Sequence, residues 1–457
     1  MPIAVLIAAL TIFRLEAWRA ALIALAAGVT EAVLWRGLGA ADVAVCAVNG
    51  VRTGLYPIGL VIIAALFTYA VTVESKAIDE IKAGLSSLSS DKSFLALLIA
   101  WGFGNFMEGM AGFGTAVAIP CAILVAIGFD PVKAVLCCLV ANTTPTAFGS
   151  AGVPTMVLAG ETALDVSRLS ATIAFVQLAP TALSPFLILA ITGGRAALKA
   201  NWRLALLADI AFLVPWLLVA RFAGCELPDV AGGIAVMGAM ALVGDRTHID
   251  VQKQLKAWMP FAFVVALLAC LQALPRSFRS SPGFAILLGA FAGGVCQGVR
   301  LKRLFALLLA TVRKYALALL TICSVLALAK TMGASHMTRF LADALVASTG
   351  RFYPLVSPVV GALAGFVTGS GTSSNVLFGA LQVSVASSEA QRFIFAAANV
   401  MGAGIGKMVC PQSIVLGCTA AGLAGRESEI LAKVAKFLLP VLALASLAAT
   451  LACKKML

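Results

Sequence analysis

Charge is scarce in this chain. Asp, Glu, Lys and Arg make up 12% of the 457 residues, against about 25% in soluble globular domains. With 61% of residues hydrophobic, a water-soluble fold is excluded, and apolar runs recur from end to end with no segment left over for a soluble domain. Histidine is scarcer still. His248 and His336 stand far apart, too few and too isolated for a His-Glu metal motif, and neither a GxSxG elbow nor a paired Asp is present, which weighs against an intramembrane enzyme. The eleven cysteines, Cys137-Cys138 and Cys453 among them, lie scattered in apolar segments without CxxC spacing, so neither a disulfide framework nor a metal site is implied and no cofactor is expected. The opening Met1-Pro2-Ile3-Ala4 lacks a basic n-region and reads as part of a first span.

What remains is an all-α polytopic membrane protein. Apolar runs predict about twelve spans: 2–13, 18–35, 55–73, 132–160, 169–192, 204–220, 230–243, 258–274, 283–298, 315–331, 393–423 and 437–452. Two further stretches, 93–128 and 350–387, carry a glycine-rich break at the middle and read as re-entrant hairpins. The net charge of +13 comes from Lys and Arg in short loops, a signature of topology rather than of nucleic-acid binding. The loops 193–203, 244–257 and 299–314 hold eleven basic residues and the intervening 221–229 and 275–282 hold three, which predicts that the first set is cytoplasmic. Lys330, near a span end, is expected to snorkel. His248 in a loop and His336 on a surface helix are expected to be solvated, and Ile78-Asp79-Glu80-Ile81-Lys82 reads as an interfacial helix.

Two sets of polar breaks answer each other at a constant spacing of 257 residues. Gly112-Phe113-Gly114-Thr115 matches Gly369-Ser370-Gly371-Thr372, Ala141-Asn142 matches Ala398-Asn399, and Gly149, Pro154 and Gly160 match Gly406, Pro411 and Gly417. The implied division is N-terminal scaffold spans 1–54, a first repeat 55–192 with a cytoplasmic-side hairpin 93–128 and broken helix 132–160, linking scaffold spans 193–311, and a second repeat 312–457 with an outer-side hairpin 350–387 and broken helix 393–423. An odd number of span steps between the repeats inverts one against the other, an arrangement common in alternating-access carriers.

Non-helical backbone at membrane depth survives only inside protein or along a wet cavity. Gly112 and Gly114, and likewise Gly369 and Gly371 on either side of Ser370, would form hairpin tips whose amides attract anions, with Thr115, Thr372, Ser373, Ser374 and Asn375 adding donors at half-helix N-termini. Small residues that merely permit tight helix packing are the alternative. Asn142, Thr143 and Thr144 in the first broken span, and Asn399, Gln412 and Ser413 in the second, repeat the pattern; Thr hydroxyls capping their own kinked helix would explain it without a ligand. Glu108 is the lone ionisable residue between Lys92 and Asp130, as Lys407 is between Arg392 and Arg426. Intramembrane charges point to function. Lys407 would neutralise a carboxylate and Glu108 would carry a coupling proton if burial favours its neutral form; a structural ion pair or contacts to backbone carbonyls are the alternatives.

At these motifs the chain resembles the bacterial L-lactate permease family. Glu108-Gly109-Met110-Ala111-Gly112-Phe113-Gly114 is similar to its FEGAAGFG segment, Asn142-Thr143-Thr144-Pro145 with Ala147-Phe148-Gly149 to NTAP-x-AFG, and Thr368 through Asn375 to TGSDTSSN. Gly406-Lys407-Met408 with Pro411-Gln412-Ser413 is similar to GKMISPQS and Gly425-Arg426-Glu427-Ser428 to GKES, with weaker similarity at Leu55-Tyr56-Pro57-Ile58, Glu226-Leu227-Pro228-Asp229 and Leu255-Lys256-Ala257-Trp258. The resemblance implies import of L-lactate, D-lactate or glycolate by proton symport across a bacterial inner membrane. It further implies a transport domain moving against a scaffold, often in a homodimer, with membrane lipid, a small carboxylate and a proton as partners and no nucleic acid. Gly371 departs from the family, which usually places Asp there, and this leaves the proton route open. A carrier of another organic anion, a dicarboxylate or sulfonate, coupled to Na⁺ through unwound carbonyls is the alternative.

Overall fold

A computed structural model describes residues 2–13, 15–112, 114–244, 250–274 and 281–455. Phe113, Arg246, His248, Arg276 and Arg279, used in the motif and loop readings above, lie outside the described residues. Among the described residues every regular element is helical. The chain opens with α1 (Pro2–Thr11), α2 (Ala17–Leu34) and α3 (Ala40–Thr53). A first series follows: α4 (Leu60–Glu74), α5 (Ala77–Ser86), α6 (Lys92–Ala96), a wider π-type stretch leading into α7 (Gly104–Met110), α8 (Thr115–Ala126), α9 (Pro131–Ala141), α10 (Gly149–Thr162) and α11 (Val166–Phe222). Then come α12 (Pro228–Val243), α13 (Val251–Ala273), α14 (Pro282–Cys296) and α15 (Leu301–Lys314). The second series is α16 (Ala316–Ala334), α17 (Met337–Thr349), α18 (Tyr353–Thr368), α19 (Gly371–Ser384), α20 (Glu389–Lys407), α21 (Pro411–Ala420) and α22 (Glu427–Lys455). Shifted by 257 residues, the first residues of α4, α5, α8 and α9 fall within a turn of those of α16, α17, α19 and α20. The order of elements therefore recurs along with the polar motifs.

Among the described residues eight helices are long and apolar enough to cross a membrane, or nine if α20 and α21, bent by 44° at their break, count as one span. Three of the twelve expected spans, α1, α12 and α14, have 10, 16 and 15 residues, short of the roughly 20 that a bilayer core requires. The 57 residues of α11 contain two expected spans, because the backbone leaves helical geometry at Gly193, Gly194 and Asn201. The second of these has an apolar outer stripe: Leu206, Ile210, Val214 and Leu218, four residues apart, are exposed, while Ala205, Ala208, Phe212 and Trp216 are fully buried. A helix apolar on both faces is packed on one side and bathed in hydrocarbon on the other.

Two helices escaped the sequence reading. α3 falls between two expected spans. α15 occupies 301–314, expected as a basic loop; Leu304 packs with Phe67, Val71 and Ala290, while Arg303 reaches Glu74 through two hydrogen bonds of 2.7 and 3.0 Å. Charge density hid the helical period of its apolar residues. The expected interfacial helix is α5, with Ile78, Ile81 and Leu85 buried and Asp79 and Glu80 exposed, and His336 is exposed just ahead of α17. Lys330 does not simply reach for water. Its Nζ lies 2.8 Å from Oε1 of the largely buried Glu161 on α10, a partner that no local spacing suggests.

Close helix contact is built from glycine where α18 meets α20. Side chains at Gly361 and Gly365 would run into the carbonyls of Asn399 and Ala403, and side chains at Gly402 and Gly406 into those of Pro358 and Ala362. Two small-xxx-small stripes thus face each other. The same logic joins the series crosswise: α8 and α9 pack on α21, with Gly417 against Val117 and Val135, and α19 packs on α10, with Asn375 Nδ2 donating to the Pro154 carbonyl at 2.9 Å.

Candidate substrate cavity

Four breaks in helical backbone converge. Between α7 and α8 the chain turns through Gly112 at φ +62°, and between α18 and α19 it turns through Gly369 at φ +63°, two positions 257 residues apart in the left-handed region open to glycine. Between α9 and α10 the break runs through residues 142–148, and Ser150, Ala151 and Gly152 continue it with positive φ. Left-handed geometry costs a non-glycine residue about 1–2 kcal/mol. Ser150 is held there by donating from Oγ to the Ala111 carbonyl at 3.0 Å, which ties the first tip to the first break. The fourth break, residues 408–410, separates α20 from α21.

These breaks enclose a cavity of about 200 Å³. Gly114 ahead of α8, Ser370 through Ser373 at the start of α19, and Gln412 and Ser413 at the start of α21 all line it. Three helix N-termini therefore turn their positive dipole ends towards one space. Ser370 caps α19 by accepting from the Ser373 amide at 3.3 Å. Lys407, at the end of α20, also lines the cavity and donates from Nζ to Glu108 Oε1 at 2.7 Å. Lys407 is 7% exposed and Glu108 4%. Glu108 Oε2 has no hydrogen-bond partner among the described residues. The two charges singled out in sequence, 299 residues apart, are one buried ion pair.

The cavity thus gathers Glu108, Gly114, Gly369, Ser370, Thr372, Ser373, Lys407, Gln412 and Ser413 from the expected set. The others sit behind it. Thr115 Oγ1 donates to the Gly112 carbonyl at 2.8 Å, Thr143 Oγ1 to the Val140 carbonyl at 2.8 Å, and Ser374 Oγ lies 2.9 Å from Thr368 Oγ1. Asn142 is buried in the first break, and the Thr144 carbonyl accepts from Gln177 at 2.7 Å. Asn399 lies within the continuous helix α20 and donates to Asn375 Oδ1 at 2.9 Å, part of a buried chain that runs through Gln382 to Ser357 and Tyr353. Residues that the sequence reading passed over also line the cavity: Ser150, and Ala318, Thr321 and Ile322 of α16. Thr321 sits in an unbroken apolar run, with no local signal to mark it. At Gly371 an added Cβ would stand 2.6 Å from Thr146 Cγ2 and 3.0 Å from the Thr146 carbonyl, so a side chain here requires Thr146 to shift.

An all-helical, lipid-facing fold that buries an ion pair and three helix N-termini around a small cavity defines a multi-pass membrane transport protein. The L-lactate permease family model matches residues 1–280 and 276–455. An L-lactate permease of Streptococcus iniae is 35% identical over 84% of this chain and 90% of its own length. An L-lactate permease of Bacillus subtilis is 31% identical over 94% and 91%, and the glycolate permease GlcA of Escherichia coli K12 is 32% identical over 82% and 81%. The chain belongs to the L-lactate permease family.

Proposed function

We propose that the protein is a secondary active transporter that imports small 2-hydroxymonocarboxylates, lactate and glycolate, together with a proton. The observation that carries this reading is the buried Lys407–Glu108 pair in the wall of the cavity. A substrate carboxylate that enters competes with Glu108 for the Lys407 ammonium. Displacing Glu108 would strand a charge in a dry site, at a cost of several kcal/mol. A proton on Glu108 removes that cost. The occupied site then holds one added anion and one added proton, so its net charge does not change. The amides at the starts of α19 and α21 and the hydroxyls of Thr372 and Ser373 hold the carboxylate, and Gln412 meets the 2-hydroxyl. A cavity of about 200 Å³ lies below the usual 300–1,000 Å³ of drug-sized sites and suits a three-carbon acid.

In this reading 93–128 and 350–387 are re-entrant hairpins. With the broken helices they form a transport unit that moves, elevator fashion, against scaffold segments 1–54 and 193–311, and the inverted orientation of the repeats gives the two access states. Glu108 takes the acidic role for which Gly371 has no side chain. Purified protein in liposomes tests the coupling: an inward proton gradient should drive accumulation of labelled lactate, and an inward Na⁺ gradient at equal pH should not. Accumulation driven by Na⁺ alone would replace this reading with the Na⁺-coupled one.

A further inference from the structure

A second buried acid lies beside the ion pair, outside the cavity. Asp229, at the start of α12, is 1% exposed. Its Oδ1 accepts from Trp216 Nε1 at 2.9 Å, while Oδ2 has no hydrogen-bond partner among the described residues. The methylene of Asp229 packs on the backbone of Gly109, the residue after Glu108: a Cβ built on Gly109 would stand 2.9 Å from Asp229 Cβ. Two carboxylates, each with one buried oxygen lacking a donor, thus sit on neighbouring positions across the α7–α12 seam. A buried acceptor without a donor is costly, and the smallest group able to satisfy it is a proton. Trp216 orients Asp229 and occupies only one of its oxygens. The charged groups that face Asp229 are Glu108 from α7 and Lys407 from α20; Cys225 and Glu226 lie on its own loop, and Asp209 stands two turns before Trp216 on α11.

Position gives the direction. The turn 223–227 that leads to Asp229 belongs to the loop expected outside on the basic-residue count, and Gly152 of the first break packs on the Cys225 carbonyl beneath it. At 16 residues, α12 is about 24 Å long, shorter than the hydrocarbon core, so its first turn lies within the protein at the level of Gly109 near the first tip.

We propose that Asp229 is the relay through which the coupling proton reaches Glu108 from the outer side. An O–H bond forms on Asp229 as a proton leaves external water; that bond breaks as one forms on Glu108, and Asp229 returns to carboxylate. Neutral Glu108 releases Lys407 to the incoming substrate. This rests on the carrier reading above and adds to it the group that loads the proton.

The test is Asp229→Asn in liposomes, assayed two ways with labelled lactate. Net uptake driven by a pH gradient requires proton loading; exchange of internal for external lactate at equal pH does not. The relay predicts at least a tenfold fall in the rate of net uptake with exchange unchanged and with lactate binding still dependent on pH, since Glu108 is intact. Net uptake and exchange both within twofold of the unaltered protein would overturn it. Should both fall together, Asp229→Glu decides: recovery of net uptake supports the relay, and no recovery overturns it. If the unaltered protein showed no lactate exchange, the carrier reading would fail and the relay with it.

Discussion

Lys407→Ala is expected to abolish lactate uptake. Removing one partner of a buried, hydrogen-bonded charge pair from a binding site costs about 2–5 kcal/mol of affinity, a factor of roughly 30 to several thousand. Two consequences can be separated. The fold loses stability because Glu108 is left buried beside a void, and the substrate loses its cation. In the double variant Lys407→Ala/Glu108→Gln no unpaired charge remains, so most of the thermal stability should return. Uptake should not. Radiolabelled uptake together with thermal unfolding of the two variants checks this. If the double variant transported normally, Lys407 would be a structural partner of Glu108 and nothing more, one of the alternatives that sequence alone left standing.

Glu108→Gln should flatten the response to pH. If lactate binds together with a proton, as proposed, its affinity for the native protein falls as pH rises. Glutamine has the shape of the protonated acid and cannot ionise, so Lys407 stays available at every pH. Binding of lactate to the variant should therefore be as strong at high pH as at low, where the native protein weakens by about tenfold per pH unit. Net uptake driven by a pH gradient should be lost, because no proton is carried. Titrations across a pH series check both. A variant that kept the native slope would move the coupling proton elsewhere.

Much of this site was legible before any coordinates. Glu108 and Lys407 stood out because each is a lone charge in a long uncharged stretch, and charges inside a membrane are too costly to be incidental. Gly112 and Gly369 stood out through the 257-residue register, and both adopt the left-handed turn that such glycines permit. What sequence could not supply was pairing across space. The contact between Lys407 and Glu108 spans 299 residues, and neither Lys330–Glu161 nor Trp216–Asp229 has a spacing that betrays it. Asn399 shows the opposite limit. Its match to Asn142 placed it at a break, yet α20 runs on to Lys407 and Asn399 is spent on Asn375. The register locates homologous positions, but the second break falls later because Pro411, rather than a Pro three residues after the Asn, stops the helix.

The fold was readable to the extent that hydropathy is. Long apolar runs became helices, whereas α15 was hidden by its own basic residues and α12 and α14 are shorter than spans should be. The division between packing and binding roles was also closed to sequence: Gly406 looks like a helix break and proves to be a contact against α18, whereas Gly371 looks like a lost carboxylate and proves to lie tight against Thr146 of the first break.

In the proposed cycle substrate and proton enter one site because the substrate takes Lys407 from Glu108. Calorimetric titration of lactate into the purified protein, repeated in buffers of different ionisation enthalpy, measures protons taken up on binding. At a pH where the unliganded pair is ionised, about one proton should be taken up per lactate bound. Binding with no proton uptake would contradict it.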